Sequence, residues 1–137
     1  MIHFARGGCE MRAALPATLE AAEKFLIAFR WWGQAILNRG QSFAAELLLR
    51  EALTNAVVHG CRADPGKQVR CSLRLNGRRL LIAVEDDGEG FDWHAAARNS
   101  AAFAQCSGRG IEILRMYASG FRYGGRGNRV TILKRFQ

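Results

Sequence analysis

At 137 residues, 49% of them hydrophobic and 23% charged, the chain suffices for one packed domain spanning residues 1–137 and is too apolar for a disordered tail. Its apolar runs are short and interrupted, and Met1–Gly8 has no core of signal-peptide length, so a membrane association or export is not expected and the cytoplasm is the default location. The net charge of +8 suits a polyanionic partner, but the arginines are scattered and not interleaved with aromatics, which argues against direct nucleic-acid binding.

In chain order, Cys9–Leu15 reads as a first strand stopped by Pro16. Thr18 can cap a helix whose apolar stripe is Leu19, Ala22, Phe25, Leu26 and Phe29, ending near Gly33. A second helix is predicted from Ser42 to His59, with Gly60 placed to end it. After the turn Asp64-Pro65-Gly66, residues Val69–Leu75 alternate as a half-buried strand. Asn76-Gly77 signals a two-residue hairpin into Leu80–Val84, apolar on both faces and so expected in the sheet centre. Phe91–Ser107 is Ala-rich and weakly patterned; Ile111–Ala118 reads as a helix, and Phe121–Tyr123 with Val130–Phe136 as a closing hairpin. The order predicts an α+β two-layer sandwich with a mostly antiparallel sheet and its helices on one face. The four cysteines, Cys9, Cys61, Cys71 and Cys106, form no C-x-x-C pair and are expected to be reduced, packed thiols.

The second helix carries the first chemical signal. Leu49, Ala52, Leu53, Ala56 and Val57 form its core face, while Glu51, Asn55 and His59 align at i, i+4 and i+8. Leu48 and Val58 edge that polar stripe, where a solvated face would carry more charge. An ordinary wet helix face would account for the stripe; so would a pocket wall. Asn55 is a neutral oxygen donor suited to Mg²⁺, and Glu51 a candidate general base. His59 fits a cap or a supporting group.

Two glycine motifs follow. Glu85-Asp86-Asp87-Gly88-Glu89-Gly90 ends the central strand, and an Asp there must be bonded to be tolerated; an adenine amino group is a suitable donor. Gly88 and Gly90 let the backbone approach a flat ring. Gly108-Arg109-Gly110 opens the next helix, where free N–H groups and the dipole favour phosphate and Arg109 could add charge. Each motif alone is weak. Their order, each on the element its chemistry needs, is what points to a nucleotide site.

Glu51–Gly60, Asp86–Gly90 and Gly108–Gly110 resemble the N, G1 and G2 boxes of the GHKL ATPase superfamily, whose histidine-kinase-like (Bergerat) fold is a two-layer α/β sandwich with a mixed, mostly antiparallel sheet. The likeness runs from Leu15 to Arg135, and Glu-Ala-Leu-Thr-Asn-Ala-Val-Val-His-Gly is similar to the anti-sigma-factor serine/threonine protein kinases. The resemblance implies ATP and Mg²⁺ as cofactors, Glu51 as catalytic base, Asn55 as Mg²⁺ ligand and Asp86 as adenine-binding carboxylate. Gly88, Gly90, Gly108 and Gly110 would shape the pocket, with a lid over about 91–107. It further implies a homodimer that binds a sigma factor and phosphorylates a STAS-domain anti-anti-sigma protein. A nucleotide-dependent module that activates a phosphatase, and the catalytic domain of a two-component histidine kinase, are the alternatives. One departure concerns the last strand: where the family often has Thr or Ser after a glycine, this chain has Asn128, which can still donate and accept beside adenine.

Overall fold

The computed structural model describes residues 2–4, 9–90 and 110–137. The expected lid (91–107), Gly108, Arg109 and Cys106 lie outside the described residues.

Strand β1 (Ile2–Phe4) is followed by β2 (Cys9–Pro16), α1 (Leu19–Gln34) and α2 (Arg39–Thr54). A π-helical turn, Asn55–Gly60, continues α2, and then come β3 (Gln68–Asn76), β4 (Arg79–Asp86), α3 (Gly110–Tyr117), β5 (Gly120–Gly124) and β6 (Arg129–Arg135). The six strands form one sheet in the order β1-β2-β3-β4-β6-β5. Every described pairing is antiparallel. The α+β architecture is as expected from the element order.

Alternation decides which side of the sheet faces the helices. Met11, Ala13, Val69, Cys71, Leu73, Leu80, Ile82, Val84, Val130 and Ile132 are buried and join one cluster with Phe25, Leu26 and Phe29 of α1 and Leu48, Leu49 and Leu53 of α2. Each Val, Leu, Ile, Phe or Met side chain among them contributes about 1.5–3 kcal/mol by leaving water. Thr18 caps α1 as predicted, its Oγ1 accepting from the Ala21 N–H at 3.1 Å.

Several boundaries differ from expectation. The second helix begins three residues before Ser42: Asn38 is its cap, in a reciprocal capping box with Gln41. Leu48 does not edge the polar stripe but is fully buried. The hairpin register pairs Asn76 with Arg79, so Gly77 and Arg78 are the loop residues, and Gly77 at φ 60° supplies the left-handed position. Leu80–Val84 is central, yet Leu81 is 42% exposed, because among the described residues the helices pack on the other side of the sheet.

Candidate functional site

The last turn of the second helix departs from α geometry. Over Asn55–Gly60 it widens to a π-helix, and the Cys61 N–H reaches back to the Ala56 carbonyl at 2.8 Å. Arg62 and Ala63 then take left-handed φ values of 53° and 54°. These steps bring Gly60 against the end of β4: a β-carbon on Gly60 would overlap the Asp86 carboxylate, and one on Gly88 would overlap the Gly60 carbonyl. Gly90, at φ 79°, makes the same kind of approach to the carbonyl of Arg126. Gly88 and Gly90 were expected to let backbone approach a ligand ring. The close approach seen is of protein on protein, and it holds the Asp86–Gly90 turn between the helix end and the β5–β6 loop.

Asp86 and Asp87 part company here. Asp86 is 7% exposed and is the buried charged group among the described residues. Its Oδ1 accepts from the Gly88 N–H at 2.7 Å. Burial pushes its carboxyl above the usual aspartate range, against the pull of the Gly88 N–H. Asp87 points the other way and accepts from Arg70 at 2.9 Å and from the Gln68 N–H at 3.0 Å. The Arg70 guanidinium holds the Asp87 carboxyl below its ordinary value.

Asn128 clamps the backbone of Asp86. Its Nδ2 donates to the Asp86 carbonyl at 2.9 Å, and its own carbonyl accepts from the Asp86 N–H at 2.9 Å. Arg126 Nε donates to the Gly88 carbonyl at 3.1 Å. The amide of Asn128, read from sequence as a ligand contact, is thus engaged in holding the acid that faces the cavity.

That cavity, of about 280 Å³, lies between the π-turn and the sheet. Asn55, His59, Gly60, Asp86, Gly90 and Asn128 supply its polar wall; Ala52, Ala56, Val84, Leu114 and Val130 supply the apolar one. Tyr123 also lines it, and burial raises its phenol to about 12. Sequence reasoning passed over Tyr123; the available signal was its place in the closing hairpin, opposite the buried Val130. Glu51 stands one turn before Asn55 on the same helix, half-buried, and outside the described wall of the cavity. Gly110 begins α3, whose Leu114 closes the apolar side. Among the described residues no cluster of His, Cys, Asp and Glu could hold a metal ion by itself. Asn55 would need oxygens from a ligand to do so.

Part of the chain is similar to the "Anti-sigma F factor" of Shouchella clausii (strain KSM-K16), 34% identical over 71 residues. That match covers 49% of this chain and 49% of the relative, so the chain spans about half the length of the curated protein it matches. The family model described as "Histidine kinase-like ATPase domain" matches residues 13–134, which takes in α1, α2, the π-turn, the Asp86–Gly90 turn and the closing hairpin. The chain belongs to the histidine kinase-like ATPase domain family.

Proposed function

We propose that this protein binds ATP with Mg²⁺ in the cavity beside the π-turn and acts as an anti-sigma factor and serine/threonine protein kinase on a STAS-domain anti-anti-sigma partner. The observation that carries the proposal is the Asp86 carboxylate, buried, seated on Gly60 and facing a cavity of purine size with one apolar wall. The Gly88 N–H meets Oδ1 of this carboxylate, and the 6-amino group of adenine is a further donor that a carboxylate lining the cavity can accept from. The apolar residues Ala56, Val84, Leu114 and Val130 suit the faces of a flat ring.

Along the second helix the roles then follow from position. Asn55, at the cavity wall, offers its side-chain oxygen to the cation, which supplies charge neutralisation for phosphoryl transfer. Glu51, a turn further from Asp86, takes the proton from the serine hydroxyl as the serine oxygen bonds to the terminal phosphorus and the bond to the ADP oxygen breaks. Gly108, Arg109 and Gly110 would meet the phosphates, and the stretch 91–107 would cover them. The sigma factor as target is supported by the printed name of the similar protein, and a cytoplasmic homodimer is part of the same proposal. Among the described residues no helix is long and apolar enough to cross a membrane.

One observation favours a second possibility: Glu51 stands outside the described cavity wall. A nucleotide-dependent module that activates a phosphatase would need no base there. Glu51→Ala separates the two. With labelled ATP and candidate STAS proteins, the variant should lose phosphotransfer by at least about a hundredfold. Its affinity for Mg·ADP should stay unchanged by calorimetry. Transfer retained by the variant removes Glu51 from the base role; nucleotide binding without transfer by the parent chain leaves the regulatory module.

A further inference from the structure

The helices cover one side of the sheet, and among the described residues nothing covers the other. Antiparallel register sets the second side out in rows. Glu10, Arg74, Leu81 and Leu133 stand across from one another in β2, β3, β4 and β6. On one flank of that row Arg79 faces Arg135. On the other flank come Arg12, Ser72, Ala83, Thr131 and, on β5, Arg122. Beyond them lie Ala14, Arg70, Glu85 and Arg129. Seven of the arginines that look scattered along the chain are thus gathered: every strand from β2 to β6 puts at least one on this face, each of them exposed.

Some are neutralised locally. Glu10 pairs with Arg12 and with Arg74, and Arg70 binds Glu85 and Asp87 at 2.9 Å each. Arg79, Arg122, Arg129 and Arg135 have no carboxylate in ion-pair contact among the described residues. Arg79 and Arg135 are also direct cross-strand partners, an arrangement that destabilises a strand pair unless an anion lies between the two charges. Beside them Leu81, 42% exposed, and Leu133 form an apolar couple at the middle of the face.

We propose that this face docks an acidic protein segment, with an apolar side chain seated on Leu81 and Leu133 and flanking carboxylates held by Arg79 and Arg135. Charge and shape select that occupant over the others. A second copy of the chain would bring the same arginine surplus against it. A nucleic-acid strand would meet Glu10, Glu85 and Asp87 set among the arginines, would find no Phe, Tyr or Trp in the described rows of β2 to β6 on this face, and would leave the leucine couple uncovered. An acidic segment with an apolar side chain satisfies both the unpaired guanidiniums and the leucines. Arg79, Leu81, Leu133 and Arg135 do not line the Asp86 cavity, so the docking surface stands or falls separately from nucleotide binding.

The test is fluorescence anisotropy of the full chain with a labelled peptide of aspartate and glutamate around a central leucine. Arg79→Glu with Arg135→Glu should weaken binding at least about tenfold, and Leu81→Ser about threefold. Lys24→Glu with Arg39→Glu makes the same change in net charge on the helices and should alter affinity by less than about twofold. Unchanged Mg·ADP affinity and circular dichroism certify that each variant is folded. The proposal is overturned by an equal loss in both charge-reversed pairs, by absence of binding in the parent chain, or by tighter binding of a single-stranded oligonucleotide of equal charge. A dimer that the Arg79/Arg135 reversal dissolves would overturn it too, since a second copy would then be the occupant.

Discussion

The second helix and the π-turn that continues it are one run of backbone built under two sets of demands. From Arg39 to Thr54 the local rules suffice. Asn38 caps with Gln41, and Ala45, Leu48, Leu49, Ala52 and Leu53 are buried at helical spacing. From Asn55 to Gly60 they do not. The widened turn has no side-chain cap, it is followed by two residues in left-handed conformation, and its terminal glycine is pressed on a buried carboxylate. The first stretch is set by what it packs against in the core. The second is set by where Asp86 must sit, and the cost of its geometry is borne by the contacts around it.

The same substitution at the two ends should therefore have opposite effects. On Gly40, in the first turn of α2, a β-carbon meets nothing closer than the Asn38 side-chain oxygen at 3.6 Å. Gly40→Ala should raise stability by about 0.5–1 kcal/mol, seen as a higher thermal midpoint. Gly60→Ala must push aside Asp86 or unwind the π-turn. It should cost about 3 kcal/mol of Mg·ADP affinity, roughly a hundredfold by calorimetry. A Gly60→Ala protein that binds nucleotide as the parent does would show that the π-turn has no part in seating Asp86.

Asp86 sharpens the comparison because its two contributions have opposite signs. Its carboxyl is raised in the folded protein, chiefly by burial, so stability from this group is fully present below the ordinary aspartate range and is lost as pH rises through the raised value. Asp86→Asn removes that loss and keeps an oxygen for the Gly88 N–H. The nucleotide-free variant should be more stable than the parent at pH 7 by about 1 kcal/mol, and the gain should shrink toward pH 3. Over the same substitution Mg·ADP affinity should fall by about 2 kcal/mol, roughly thirtyfold, with the loss of a charge-assisted hydrogen bond. Unfolding curves at several pH values, with and without nucleotide, read both effects; a variant less stable than the parent at neutral pH would contradict the sign.

Much of the sheet and the helix layer was legible because period and punctuation are local. The alternation in Val69–Leu75, the Thr18 cap and the closing hairpin each needed only a few neighbouring residues. The polar stripe of Glu51, Asn55 and His59 was legible as a pattern, since no solvated surface requires it. What escaped was whatever the register decides. β1 has three residues and exists by pairing with β2. Leu81 reads as a core residue until the side of the sheet on which it stands is known. The capping box at Asn38 was present in the sequence but was masked by Gly40 within its first turn and by Ser42 just beyond. The π-turn had no sequence signal at all: Asn55–Gly60 would pass for an α-helix if Gly60 did not have to meet Asp86 and Gly88.

Arg62 and Ala63 are where that geometry leaves the smallest measurable trace. Both sit in the left-handed region with φ 53° and 54°, which a β-carbon disfavours by about 1–2 kcal/mol per residue. The conformation is held from both sides: the Ala63 N–H donates to the Val57 carbonyl at 2.8 Å, and the Asp64 N–H to the Cys61 carbonyl at 3.1 Å. Ala63 is exposed, so removing its methyl forfeits little packing. Ala63→Gly should accordingly raise stability, by less than the steric term alone because glycine also gains freedom in the unfolded chain; a net of about 0.5–1 kcal/mol is expected in urea unfolding. Nucleotide affinity should not change, since the close approach of Gly60 to Asp86 and the bonds that Asp86 makes to Gly88 and Asn128 are untouched. If Ala63→Gly instead destabilised the protein, the left-handed exit would not be a strain imposed by the π-turn, and the contrast between the two ends of the helix would rest on Gly60 alone.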